Sequence, residues 1–173
     1  MQPARLQLTL FVSHQNQVIE KIRLRYNPVQ FDLIAAHVTL CREHELVPMD
    51  MIIENIHTLV NHMPIKIEFG PPARFDNGKG VLIPAKKTNP EFYELRRLIL
   101  NGTDQLPTAQ QPHITLMHPR NSTCTDDVFN EIKNNTLPTQ LTFDTISLIE
   151  QRDGGRWTVL EEFEFGNKRL KPR

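Results

Sequence analysis

Two histidine–threonine pairs carry the chemistry this sequence can do. His37-Val38-Thr39-Leu40 and His113-Ile114-Thr115-Leu116 repeat one pattern, His-apolar-Thr-Leu, 76 residues apart. Imidazole has an ordinary pKa of about 6.5, so near neutral pH one ring can be neutral and take a proton while another is charged and gives one. A threonine hydroxyl beside each ring is a donor for an anionic oxygen. Two matched imidazole–hydroxyl pairs, one ring as base and the other as acid, suit displacement at phosphorus. On a 2′,3′-cyclic phosphate the neutral histidine would activate water and the imidazolium would protonate the departing ribose oxygen. In-line attack puts the rings on opposite sides of one phosphorus, roughly 5–8 Å apart. That chemistry needs no metal or other cofactor, and none is expected.

Taken one at a time, His37 or His113 would more often be a hydrogen-bonded structural residue than a catalyst. The matched threonine and matched context reverse that balance. A zinc reading would draw on His37, Cys41 and His44, or on His113, His118 and Cys124, but neither set has an established ligand spacing. His57 and His62 point about 140° apart on a helix and do not chelate together. Cys41, Cys124, His44, His57 and His62 are therefore read as packing or surface residues. Trp157, Phe163 and Phe165 have the makings of a base-stacking surface, but aromatic residues in a strand are more often core.

Each tetrapeptide falls in a strand, where alternation sends His and Thr to one face and the apolar residue between them to the other. Pro112 and Pro119 bracket the second copy, suggesting a short strand at an edge or beside a cleft. Around these motifs the pattern predicts a first strand over 6–12, and a helix through Val18, Ile19, Ile22 and Tyr26 that Asn27-Pro28 closes. A strand over 34–41 and a helix from Pro48 to Pro64, striped by Met51, Ile52, Ile56, Leu59, Val60 and Met63, come next. A strand at 65–69 and a second at 80–83, preceded by the turn signal Asn77-Gly78, follow. Asn89 and Pro90 open a helix that ends at Asn101-Gly102. After the strand at 113–117, Thr125 or Ser122 caps a helix through Val128, Phe129 and Ile132. Strands at 140–150 and 157–165 flank the hairpin signal Asp153-Gly154-Gly155, and the basic tail at 167–173 frays.

Strands adjacent in sequence, interleaved with helices, favour an α+β fold with antiparallel sheets. The sequence has no glycine fingerprint of a dinucleotide fold and no phosphate-binding P-loop. At 173 residues and 39% hydrophobic content the chain is long enough for one substantial core, so one domain over 1–173 is expected. Lys plus Arg equals Asp plus Glu at 20 each, without the broad positive field that binds long nucleic acid. A small nucleotide or RNA-end substrate fits better. No apolar run approaches the roughly 20 residues of a membrane span, and no secretory leader is legible. A soluble, cytoplasmic monomer with reduced cysteines is the expectation.

At the two tetrapeptides the sequence resembles the two-histidine (2H) phosphoesterase superfamily, which includes 2′-5′ RNA ligases and cyclic phosphodiesterases. The resemblance runs along most of the chain. It implies a bilobal α+β fold, two antiparallel sheets with flanking helices in pseudo-twofold arrangement, each lobe giving one motif to a central groove. It also implies that His37 and His113 are the catalytic pair and that Thr39 and Thr115 bind phosphate. Many relatives carry a basic residue five positions after a motif histidine. Here that is Arg42 in the first copy and His118 in the second, both candidates for substrate binding. Strict alternation would turn both away from the cleft, so a bulge or a strand end must intervene. A non-catalytic nucleotide or RNA-end binding module is the alternative. The histidines argue against it, because simple phosphate binding gains more from Arg or Lys.

Overall fold

Apolar residues at alternate positions make half-buried strands and those at helical spacing make half-buried helices. The computed structural model, which describes residues 4–12, 16–76, 78–104 and 110–166, combines them into two antiparallel sheets with flanking helices. The chain runs β1 (Arg5–Phe11), α1 (Gln17–Tyr26), α2 (Pro28–Leu33) and β2 (His37–Arg42), then α3 (Met49–His57), β3 (Ile65–Glu68), β4 (Ala73–Arg74) and β5 (Val81–Pro84). It continues through α4 (Pro90–Ile99), β6 (His113–Met117), α5 (Asp126–Lys133), β7 (Gln140–Phe143), β8 (Thr145–Gln151) and β9 (Trp157–Glu164). One sheet has seven strands in the order β4-β5-β6-β2-β1-β8-β9, and β3 pairs with β7 in the other. The strands bearing the two motifs are neighbours at the middle of the large sheet. Fully buried Leu8, Leu10, Val38, Leu40, Ile83 and Ile114 belong to the hydrophobic core beneath it.

Several expectations change where tertiary contacts override local pattern. Asn27-Pro28 does end α1, but Pro28 opens α2 at once, proline being suited to a first helical turn, and the next strand begins at His37. The helix after Pro48 stops at His57 and tightens into a 3-10 turn over Thr58–Asn61. Leu59 is buried there, whereas Val60 and Met63 face solvent. The run at 140–150 is two strands in different sheets, parted at Asp144. Asn89 precedes α4 without capping it through its side chain. Its side chain instead accepts from the Glu68 amide at 2.9 Å and donates to the Lys86 carbonyl, tying the helix to β3. Thr125 caps α5, accepting from the Val128 amide at 3.3 Å. In the β8–β9 hairpin Asp153 and Gly154 both take positive φ, 49° and 71°, as a tight two-residue turn demands. Asn77 and the tail at 167–173 lie outside the described residues. No helix among the described residues is long and apolar enough to cross a membrane.

Candidate active site

β2 and β6 run antiparallel and are in register at one pair, Val38 opposite Ile114. An antiparallel pair has a local twofold axis at such a point, and this one carries His37 onto His113 and Thr39 onto Thr115. The sequence repeat is thus a spatial one. Val38 and Ile114 are fully buried, so all four polar side chains project from the opposite face, where the two histidines are diagonal neighbours. Such diagonal positions lie roughly 7–8 Å apart between Cα atoms. β6 is interior to the sheet and beside the groove, its flanking prolines notwithstanding.

The same twofold relation extends outward. Each motif is entered through a bond from the next strand, Val12 N–H to the Ala36 carbonyl and Ala85 N–H to the Pro112 carbonyl, both at 2.8 Å. Each imidazole uses Nδ1 on the carbonyl two residues earlier, His37 on Ala35 at 2.8 Å and His113 on Gln111 at 3.1 Å. A carbonyl only accepts, so Nδ1 carries the hydrogen and the neutral ring keeps Nε2 as its bare nitrogen. Each ring also meets a phenylalanine edge to face, Phe11 at 6.2 Å from His37 and Phe75 at 5.9 Å from His113. Tautomer and orientation are therefore set by the scaffold.

Register shifts occur at matching places. Leu8 pairs Cys41 and Thr9 pairs Thr39, leaving Leu40 extra on β2, while Val81 pairs Met117 and Leu82 pairs Thr115, leaving Leu116 extra on β6. The motif leucine is thus a bulge residue in both copies. Two successive residues after each threonine are buried, and the alternation resumes one step out of phase. Arg42 and His118 are thereby turned onto the groove. At the first bulge a buried ion pair takes up backbone groups. Arg96 of α4 donates to the Leu40 carbonyl and, at 2.6 Å, to Glu45, whose other oxygen accepts from the Arg42 amide at 2.9 Å.

The groove over this face has a volume of about 380 Å³, within the range of small-molecule sites. His37, Thr39, Arg42, His113, Thr115 and His118 all line it. Among the described residues, four arginines and three histidines contribute to its lining and no carboxylate does, although Arg23 and Arg5 are ion-paired with Glu20 and Glu43 outside the lining, at 2.7 and 3.6 Å. Buried Arg23 lies beneath one wall, donating to Glu20 at 2.7 Å and to the Ile34 carbonyl at 2.6 Å. Glu20 in turn accepts from the Ala36 amide at 2.6 Å, holding the entry to β2. Asn27 accepts from the His118 amide at 2.7 Å and donates to the Asn121 side chain at 2.9 Å, which joins the α1–α2 corner to the segment after β6. Cys41 lies on the core side, its thiol pushed up to about 12 by burial.

Burial likewise pushes His37 down to about 4, with the cationic Arg23 and the nearby His113 and His118 adding to the effect. His113 is lowered too, first by burial and then by Arg42. Both shifts favour the neutral ring in a groove without an anion.

Gln7, Gln110 and Trp157 are groove residues or supports that sequence reasoning missed. Gln7 donates to the Thr39 hydroxyl oxygen at 3.1 Å, which leaves the Thr39 proton to point at a ligand. Gln110 donates to the Thr39 carbonyl at 2.7 Å. Arg5, Gln7 and Thr9 at alternate positions of the first strand were the legible signal for a polar face. Trp157, expected in the core, lines the groove, while Phe163 and Phe165 are buried as expected. A second depression, about 430 Å³ beside Leu24 and Phe31, has no histidine or hydroxyl among the described residues of its lining.

Known proteins share this architecture. A Bacillus pumilus (strain SAFR-032) protein whose name calls it a phosphoesterase is 28% identical over 170 residues, covering 93% of this chain and 97% of that protein. The crystal structure of Escherichia coli LigT complexed with NADP+ superposes with a TM-score of 0.61 at 15% identity, over 96% of this chain and 100% of LigT. The Thermus thermophilus protein TT0787 superposes at 0.60 and 16% identity, over 95% and 99% of the two chains. At these identities the two superpositions speak for the fold. The family model of the 2′-5′ RNA ligase superfamily matches residues 10–155, a stretch that contains both motifs, and the chain belongs to that superfamily.

Proposed function

We propose that this chain is a metal-independent phosphodiesterase acting on a 2′,3′-cyclic phosphate or a 2′-5′ phosphodiester of RNA ends or nucleotides. The observation that carries the reading is the twofold-related pair of imidazoles, each with Nδ1 tied to a carbonyl and each beside a threonine, in a groove lined by cations. A phosphate between them meets one Nε2 on either side. One ring removes the proton from water as its oxygen bonds to phosphorus; the other, protonated, gives its proton to the leaving ribose oxygen as that P–O bond breaks. The product is a phosphomonoester, and the proton gained by the base restores the pair in reversed roles. Thr39 and Thr115 donate to the non-bridging oxygens. The phosphoesterase name of the Bacillus relative and the complexes of E. coli LigT with ATP, phosphate and 3′-AMP agree with a small phosphate-bearing ligand.

Incubation with nucleoside 2′,3′-cyclic phosphates and with 2′-5′-linked oligonucleotides, followed by phosphorus NMR, tests the reading. Turnover of at least one class, undiminished by chelator, is expected. Tight nucleotide binding with no product over long incubation would instead establish a binding module.

The pH dependence has a definite sign. The productive form of a general acid–base pair holds one proton between two rings, and both rings here titrate below the ordinary 6.5 in the free protein. A plot of kcat/KM against pH is therefore expected to be bell-shaped with its maximum below about pH 6.5. A bound phosphate anion favours imidazolium, so the maximum in kcat lies at higher pH than that in kcat/KM. A kcat/KM maximum above pH 7 would contradict the assignment.

A further inference from the structure

The reacting centre is twofold-symmetric, but the two ends of the groove are not. Beyond β2 the sheet continues through β1, β8 and β9, and three residues stand in one cross-strand row: Arg5 opposite Gln151, and Gln151 opposite Trp157. All three line the groove. Beyond the second motif the wall is formed instead by His118, Arg120 and Asn121. The Arg5 guanidinium lies over the Trp157 indole, 5.4 Å from the ring centroid, and donates to the Gln151 side chain at 3.2 Å. Trp157 is half-buried at the start of an edge strand whose next five residues are exposed, so it fills no core position. A large planar ring supported by a cation, facing a polar groove, is the surface on which a nucleobase stacks.

We infer that the Arg5–Gln151–Trp157 row is the subsite for the heteroaromatic base of the substrate, so that the nucleoside bearing the scissile phosphate lies toward the β8–β9 hairpin. The inference builds on the proposed phosphodiesterase reading by assigning an orientation and a ligand class to one end of the groove. It also sets the selectivity. Gln151 accepts from Arg5 and donates to the Gly155 carbonyl at 2.8 Å, so both ends of its amide are engaged within the protein. A stacking platform whose neighbouring amide is so engaged does not distinguish bases by their edges, and KM values for the four nucleoside cyclic phosphates are expected to agree within about tenfold.

Trp157 is the sole tryptophan of the chain, which gives the subsite its own optical probe. Titration of the wild-type protein with 3′-AMP is expected to quench tryptophan emission saturably, and titration with inorganic phosphate to leave it unchanged. In kinetics, Trp157→Ala is expected to raise KM for a nucleoside 2′,3′-cyclic phosphate by about 5- to 150-fold, the effect of losing one base–aromatic stack. Its kcat should stay within about threefold, and Trp157→Phe should recover most of the loss. For the 2′,3′-cyclic phosphate of methyl riboside, which has no base, the variant and the wild type should have the same KM. The subsite is overturned if 3′-AMP leaves the emission unchanged, or quenches it no more than phosphate does, or if the KM rise is equal with and without a base. A saturable quench by 3′-AMP in a protein that turns over no phosphodiester would keep the subsite and retire the catalytic reading. Turnover by a protein that shows no quench would do the opposite.

Discussion

Alanine in place of His37 or His113 is expected to lower kcat on a 2′,3′-cyclic phosphate or a 2′-5′ linkage by about 10²- to 10⁴-fold, the usual contribution of a positioned general acid or base. Each ring is fixed by a single hydrogen bond to a carbonyl and by an edge-on phenylalanine, so truncation removes about 1 kcal/mol of hydrogen bonding and a modest packing term. The folded state should survive, which circular dichroism and a melting curve can verify before any rate is compared. Because one ring works only when the other holds the complementary protonation state, the losses should not add. The double variant is expected to be little slower than the worse single one. Gln7→Leu offers a graded control, since it removes a support of the Thr39 hydroxyl while leaving both imidazoles. Wild-type rates in both single alanine variants, on a substrate the protein turns over, would remove the mechanism.

The second large effect is on stability. Arg96 and Glu45 are 2% and 1% exposed, and Arg96→Met leaves the Glu45 carboxylate buried without its counter-ion. Breaking such a pair costs about 3–5 kcal/mol, which for a chain of this size lowers the melting temperature by roughly 6–20 °C. The double change Arg96→Met with Glu45→Leu removes both charges and is expected to recover most of that loss, because apolar residues can replace a buried ion pair at little cost. Function should not recover with it. Arg96 serves the carbonyl of the bulged Leu40 and Glu45 serves the amide of Arg42, so the apolar pair leaves the bulge without the partners that aim Arg42 into the groove. Urea unfolding and kcat/KM measured on the same three proteins separate the two contributions. An Arg96→Met variant as stable as the wild type would show that the pair does not hold the bulge.

The buried pair also marks where local reading ends. The repeated tetrapeptide, the alternation that sends its histidine and threonine to one face, the turn at Asp153-Gly154 and the cap at Thr125 are all visible in the sequence, because each depends on residues within a few positions of one another. That a bulge or a strand end must follow the threonine came from the family resemblance, which puts a substrate-binding residue five positions after a cleft-facing histidine, out of phase with strict alternation. Which residue bulges was not legible. Leu40 is singled out by its register against β1 and by Arg96, 56 residues further on, and Leu116 by its register against β5. The single long strand read at 140–150 failed for a related reason, since alternation does not record that the chain changes sheets at Asp144.

The sequence by itself determined the kinds of element, the two polar prongs and the chemistry available to a histidine–threonine pair, since these follow from side-chain type and backbone period. Tertiary structure alone decided that Val38 meets Ile114, and with that contact everything requiring two distant segments. It brought four arginines of a neutral chain to one groove, lowered His37 to about 4 through burial, placed Gln7 beneath Thr39 and turned Trp157 from expected core to groove wall. Charge, burial and hydrogen-bond partners belong to the assembled surface, and no stretch of the chain contains them until its neighbours arrive.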